Sequence, residues 1–527
     1  MAEERMTYRI HEIKLKVGEP KEHLPKKIAK KLGLPLAAIS DLRLVRESVD
    51  ARNKKDIHLV YTVDFSLEKP LRKSEREMAR LKVARQEEIP YRLPEAGAED
   101  LGGRPVIAGF GPCGIFAALT LARAGYRPIV LERGASMEHR IQDVEAFKKE
   151  GRLDPDSNVL FGEGGAGTFS DGKLTTGIKD PRIQIMLRIF YEAGAGEDVL
   201  YRHRPHIGTD VLREVIVRIR EEILALGGEV RFCTKFTDLL TEDGELRGVR
   251  TISLADGSEE VIPTRAFILA TGHSARDTFK LARDRGLSME QKPFSIGVRM
   301  EHPQELIDRA QYGDERRLPP AEYKVSMRSS EGRGVYSFCM CPGGEVIACS
   351  TEEGTLCVNG MSNRKRDSGT ANSGILCDVR TSDFGSDDVL AGVEFQKKYE
   401  RLAYENGGGG FRIPTCRMED FLADTEAAAP VTHSLPDFAV RALREAVPVF
   451  AKKIQGYDMP DAVIKAVETR SSSPVRILRE KESGMSNIRG IYPSGEGCGY
   501  AGGITSAACD GMRQAEAIIR RFAVPAE

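Results

Sequence analysis

What this sequence has least of is net charge. Lys and Arg together number 78 against 79 Asp and Glu, a formal charge of −1, so no global field draws the chain to nucleic acid or to an anionic membrane. Long apolar runs are missing too. The longest, Val106 to Ala122, is interrupted by three glycines and a proline and stops at Arg123, which argues against a membrane span. The opening stretch MAEERMTYRIHEIK has no apolar core of the signal-peptide kind, and export is not expected. Tryptophan is absent, and nothing follows from that. The ten cysteines follow no regular framework, so free thiols in a reducing cytoplasm are expected. His203 and His206 stand three residues apart without the Cys, Asp or Glu neighbours a metal would need, and no metal site is expected.

What is present is ample chain, 527 residues with 41% hydrophobic content, enough for several domains. Residues 7 to 17 alternate as a strand, Pro25 opens a short helix to Leu32 that Gly33 closes, and DLRLVRES and IHLVYTVDFSL read as two more strands. That is a small βαββ domain. Residues 1 to 90 carry 21 basic side chains against 15 acidic ones, the balance of a solvated face, and nucleic acid is not the expected partner. Residues 68 to 103 read as a charged linker or bridging helix with a Pro- and Gly-containing exit, and Gly407 to Gly410 as a loop tip.

The main body begins at Arg104. RPVIAGFGPCGIFAALTLARAGYRPIVLERG is a strand, a glycine-rich turn, an apolar-faced helix and a second strand ending in Glu132. Gly109 permits the tight turn, Gly111 lets backbone approach a pyrophosphate, and Gly114 lets the helix lie close on its sheet. Glu132 can accept hydrogen bonds from both ribose hydroxyls, and its charge disfavours a 2′-phosphate; Arg133 follows it at the same edge. NAD and FAD share this pattern.

Two further segments bear on the choice. Residues 227 to 273, carrying Phe236, read as strands and turns that end in Ala270-Thr271-Gly272 and then His273. Residues 489 to 521 read as a strand, an acidic turn at Gly495-Glu496 and a small-residue helix start at Gly502-Gly503-Ile504. With these in place the chain resembles flavoproteins of the glutathione-reductase structural class. The resemblance implies that the A-T-G strand passes beside the cofactor and that Glu496 takes the ribityl position, where Asp is commoner. It also implies that residues 502 to 504 turn backbone N–H groups and a helix dipole toward the flavin N1 and O2.

The loop FGEGGAGTFSDGKLTTG, with Gly165, Gly167, Thr168, Ser170, Gly172 and Lys173, has the glycine density of backbone wrapped round a pyrophosphate, and also that of a surface loop. Together with KPFSIGVRMEHP, FCMCPGG, VNGMS and ETRSSSPVR, it resembles a bacterial family of FAD-dependent dehydrogenases of unknown substrate over nearly the whole chain. The implied fold is α/β: a Rossmann-like FAD-binding domain, an inserted α+β substrate or cap domain, and the small N-terminal βαββ domain. The expected divisions are 1–90, 101–285 for the first part of the FAD domain, 286–460 for the cap, and 461–527 for the return.

The substrate side offers fewer markers. Arg470 and Arg476 flank three serines and a proline, which suits an anion or a pair of ordinary ion bridges. His206 is a candidate proton donor. Ser274 and Asp277 have the spacing of a capping box, and Thr209 or Asp210 that of an N-cap. The polar stretch 358–379 suits a polar ligand or an exposed turn. Cys339 and Cys341, one residue apart before Pro342-Gly343-Gly344, read first as small residues ending a strand, with Cys341 the favoured thiol if one lines a flavin pocket.

A flavin beside a polar cap implies an oxidoreductase moving hydride between a polar, anionic small molecule and flavin N5, with His206, Arg470, Arg476 and Cys341 as the catalytic candidates. No second G-x-G-x-x-G unit follows a strand, so electrons would come from the substrate, from transiently docked NAD(P)H or from a partner protein. Two other readings stay open: flavin-dependent RNA modification served by the N-terminal domain, and a flavin-binding regulatory protein without turnover.

Overall fold

The computed structural model describes residues 5–87 and 91–525. Residues 1–4 of the charged start and 88–90 of the expected linker lie outside the described residues.

The N-terminal unit is built from strands Met6–Lys16, Ser40–Asp50 and His58–Leu67 with helix Leu24–Leu32. In the first strand Tyr8 and Ile10 fall on one parity, Ile13 and Leu15 on the other. A bulge between Ile10 and Ile13, with Glu12 at φ 58°, brings both sets to the same buried face. Pro25 starts the helix and Gly33, at φ 70°, ends it. The linker forms helix Glu75–Leu81, capped by Ser74, and strand Val83–Arg85, which pairs with the first strand. This unit docks on the main body through backbone: Glu47 N donates to Tyr201 O at 2.7 Å and His203 N to Glu47 O at 2.8 Å.

The main body holds a five-stranded parallel sheet in the order Ile491–Pro493, Phe267–Leu269, Val106–Ala108, Ile129–Leu131, Glu229–Arg231. Its strands read VIA, IVL and FIL because both faces are covered. On one face helix Pro112–Arg123 packs against helix Ile504–Arg521. On the other lies a three-stranded antiparallel sheet spanning Thr234–Glu242, Glu245–Ser253 and Glu259–Pro263. This is an α/β fold in which the C-terminal strand and helix complete a sheet begun four hundred residues earlier.

The inserted unit is a six-stranded antiparallel sheet, ordered Ser326–Arg328, Gly334–Cys341, Thr370–Val379, Phe294–Pro303, Val463–Glu468, Thr415–Arg417. Helices Ala391–Asn406 and Asp437–Ala451 pack on it. Strand Val463–Glu468 belongs to this sheet, so the cap sheet extends past residue 460. A separate hairpin, Glu345–Cys349 with Cys357–Met361, packs against Val159, Leu160 and Phe169 of the glycine-rich loop region.

Candidate cofactor and active site

The C-terminal ends of the parallel strands open into a cavity of about 380 Å³ that reaches across to the cap sheet, the position at which open α/β sheets bind ligands. The turn after strand Val106–Ala108 forms its floor. Gly109 sits at φ 100°, where a Cβ would come within 2.4 Å of Ala270 O, and a Cβ on Gly114 would lie 1.9 Å from Gly109 O. Only glycine permits these two approaches.

Glu132, at the end of the next strand, is buried and gathers three backbone donors. Phe110 N reaches Oε2 at 2.8 Å, while Gly134 N and Gly162 N reach Oε1 at 2.9 and 3.0 Å. The carboxylate thereby ties the glycine turn to the second glycine-rich loop while still lining the cavity. Arg133 beside it bonds Asp277 at 2.9 Å and lies over the Phe161 ring. The loop itself hangs on a residue that motif reading did not single out. Arg140, fully buried, donates to the carbonyls of Asn158 and Val159 at 2.9 and 3.0 Å and to that of Glu163 at 2.5 Å. Nothing in its sequence neighbourhood marks it, since its role comes from carbonyls about twenty residues further on that fold round it.

Of the expected cofactor residues, Gly109, Gly111, Glu132, Arg133, Gly165, Gly167, Ser170, Lys173, Phe236, Ala270, Thr271, Gly272, His273, Glu496, Gly502, Gly503 and Ile504 line the cavity. Gly114, Thr168, Gly172 and Gly495 are not in its lining. Thr168 is buried with its carbonyl accepting from Thr209 Oγ1 at 2.6 Å, and Gly495 donates its N–H to Asp510 at 2.8 Å. Their parts are in holding the loops. Lys173 turns its ammonium to Met340 O in the cap strand, bridging the two bodies. His273 Nδ1 stands 3.4 Å from Glu496 Oε1.

The cap supplies Phe338, Cys339, Asn359, Glu468, Arg470 and the hairpin cysteines to the opposite wall. Glu468 is held by Arg299, itself fully buried, with Nε 2.6 Å from Oε2 and Nη2 2.9 Å from Oε1. Arg299 also donates to Cys339 O at 2.7 Å and to Asn359 and Asn372 at 3.2 Å. Burial pushes the Glu468 carboxyl up to about 7, with Arg299 pulling the other way. Arg470 is gripped by both oxygens of buried Glu400 at 3.0 Å, with Thr351 at 3.2 Å; Arg276 shares Glu400 at 2.9 Å.

Three of the four catalytic candidates fall outside this cavity. Arg476 lies in a two-stranded ribbon with Met289–Gln291, paired to Glu290 at 3.1 Å. His206 is buried behind the glycine-rich loop with its ring on Arg364 O at 3.2 Å, and burial together with Arg366 pushes it down to about 4, so it stays neutral. Cys341 is fully buried, because a bulge between Phe338 and Cys341, with Cys339 at φ 41°, rotates the strand so that Cys339 meets the cavity instead. Hydrogen bonding from the Cys341 thiol and the Arg299 charge lower the Cys339 thiol, while the same hydrogen bond and burial raise Cys341.

Local expectations were also displaced. Helix Arg276–Asp284 has Ala275 at its N-cap, without a side-chain cap bond, because Asp277 is drawn to Arg133 and Lys235. Gly208 occupies the cap of helix Thr209–Ala225, since Thr209 is committed to Thr168 O and Asp210 to Arg364 N. The polar stretch 358–379 serves structure: Ser362 and Arg366 hold Asp171, Arg364 holds Asp198, and Asn372 holds Arg299. Of its asparagines Asn359, Asn363 and Asn372, Asn359 alone lines the cavity. Among the described residues no cluster of His, Cys, Asp and Glu could hold a metal ion, and no helix is long and apolar enough to cross a membrane.

The donor set fits a dinucleotide. Two helices, Pro112–Arg123 and Ile504–Arg521, begin at the cavity with their N–H groups open. A Cβ on Gly272, Gly502 or Gly503 would meet nothing within 4 Å, so space is kept beside these backbones.

Comparison with known proteins agrees with a flavin class. Residues 293–471, the cap sheet and its helices, match the family model described as FAD-dependent protein, C-terminal domain-like, and residues 7–66 match a domain of unknown function. A Clostridium beijerinckii protein, described as uncharacterized, is 43% identical over 543 residues, covering 99% of this chain and all of that one. The chain belongs to that protein's family. Among solved structures, flavin-dependent brominase Bmp2 is similar at 13% identity, covering 79% of this chain and 78% of that one, with a TM-score of 0.37. L-proline dehydrogenase from P. horikoshii is 14% identical over 81% of this chain and 96% of its own, with a TM-score of 0.34.

Proposed function

We propose that this protein is an FAD-dependent oxidoreductase acting on a polar, anionic small molecule that enters between the parallel sheet and the cap. The observation that carries this reading is one cavity lined both by the dinucleotide-type glycine turn with Glu132 and by Glu468, Cys339 and Arg470 of the cap. Bound FAD would supply a two-electron acceptor and donor at N5. Glu132 and the backbones of Gly111 and Gly165 would hold its adenosine and pyrophosphate part, and the N-terminus of helix Ile504–Arg521 its pyrimidine edge.

The chain's own groups do the rest. Arg470 lines the cavity with its Nε and Nη2 fixed by Glu400 and its Nη1 on the Thr351 hydroxyl, so an anionic substrate would meet a cation that is already oriented. Glu468, pushed up to about 7, can take or give a proton near neutral pH. Arg299 keeps its carboxyl aimed at the cavity wall. Phe338 and the buried strand behind it exclude water from that end. Docked NAD(P)H has no support in the comparisons or the geometry and forms no part of the reading.

The test is anaerobic mixing of flavin-loaded protein with a panel of amino and hydroxy acids, following loss of the oxidised flavin spectrum. A member of the panel should reduce the wild type, and Glu468→Gln should slow that reduction at least tenfold without displacing the flavin. Equal rates in variant and wild type would remove Glu468 from the chemistry.

A further inference from the structure

The hairpin Glu345–Cys349 and Cys357–Met361 carries two thiols that the reaction above does not use. Cys349 and Cys357 stand directly opposite each other across the antiparallel ladder. Both are buried, at 1% and 3% exposure, and both line the same cavity as the residues at the start of helix Ile504–Arg521. Directly opposed residues on antiparallel strands have Cα atoms about 4.5 or about 5.5 Å apart, and both values fall inside the roughly 4.4–6.8 Å that a disulfide spans. Cys357 Sγ lies 3.5 Å from the Cys349 carbonyl oxygen, and Cys349 Sγ makes a weak contact with Ile347 O at 3.9 Å.

The neighbouring pair is built differently. Cys339 and Cys341 are separated by one residue and a bulge, and Cys341 does not reach the cavity. Hydrogen bonding with Cys357 and burial push the Cys349 thiol well up, with Arg470 pulling the other way, so that sulfur is held as a thiol until an oxidant reaches it. The hairpin packs over Val159, Leu160 and Phe169, so its thiols are sealed from solvent on the other side. They are reached through the cavity.

We propose that Cys349 and Cys357 are a redox-active dithiol that exchanges an electron pair with the bound flavin. The proposal rests on the FAD reading. In the forward direction both S–H bonds break and one S–S bond forms. The electron pair and one proton pass to the oxidised flavin, and the second proton leaves to solvent; the reverse reaction regenerates the two thiols. The hairpin would thus store one electron pair between the substrate and whatever finally accepts or donates it.

Full-length holoprotein is oxidised with oxidised dithiothreitol, alkylated, digested and mapped by mass spectrometry. The expected product is a peptide pair linked through Cys349 and Cys357, with two of the ten thiols lost to titration in denaturant. Cys349→Ser and Cys357→Ser should each abolish the link, and Cys416→Ser, in the cap but away from the cavity, should keep it. An anaerobic reductive titration then counts electrons: oxidised wild type should take two pairs per flavin and Cys349→Ser one. Ten free thiols, or a link between other cysteines, would overturn the dithiol while leaving flavin binding intact. A linked pair with only one electron pair taken up per flavin would overturn the exchange. A linked pair in a protein that binds no flavin would instead sink the FAD reading, and the exchange with it.

Discussion

Glu132 concentrates the logic of the site in one side chain. Its two oxygens collect three backbone N–H groups from two loops, so it shapes the cradle as well as facing into it. Glu132→Gln replaces one acceptor oxygen by a donor that must face a backbone N–H. Hydrogen bonds to a charged group are worth about 1.5–3 kcal/mol, so the variant should hold flavin about tenfold or more weakly, which equilibrium dialysis or fluorescence titration would read. Glu400 is the counterpart on the substrate side. Arg470 and Arg276 hold its buried carboxyl well below the usual carboxylate range. A folded-state pKa depressed in this way contributes stability that is complete above the unfolded value near 4.5 and is lost as pH falls below it. Glu400→Gln leaves two buried guanidinium groups short of their partner and should cost about 3–5 kcal/mol at pH 7. The gap in unfolding free energy between variant and wild type should narrow below pH 4.5; a gap independent of pH would contradict the assignment.

At the scale of elements, the strand, turn and helix at 106–123 was legible because each glycine there answers a separate steric demand. Gly114→Ala would force a methyl to within 1.9 Å of Gly109 O. It should lower stability by at least the roughly 1–3 kcal/mol typical of overpacking and release flavin together with the fold, seen as a joint loss of melting temperature and bound chromophore. Elements whose form depends on distant partners were less legible. Nothing local in YSFCMCPGG announces the bulge at Cys339, which is set by pairing with Thr370–Val379, and the bulge decides which thiol meets the cavity. Asp277 reads as a capping residue until Arg133, far off in sequence, claims it. Glu400 carries no motif at all, and Glu468, although it opens ETRSSSPVR, carries no mark of its own there; their roles come from burial beside arginines that fold onto them. Arg470 was visible as one of two arginines round three serines, but only the ladder Met289–Gln291 with Val475–Ile477 shows why its companion Arg476 points elsewhere.

For the whole molecule, the arrangement is a dinucleotide-type sheet completed by the two ends of the main body, with the cap sheet inserted between them and the cavity at their seam. The N-terminal unit docks through residues 201–203, and none of its described residues lines that cavity. The Clostridium protein matches the chain across all of these units. The account stands or falls on the cofactor. Full-length protein should be purified, its visible spectrum recorded, and any released chromophore identified by mass spectrometry, with apoprotein then titrated with FAD. One FAD per chain, retained on purification or regained on titration and lost in Glu132→Gln, is the predicted result. A colourless protein that takes up no FAD would contradict it.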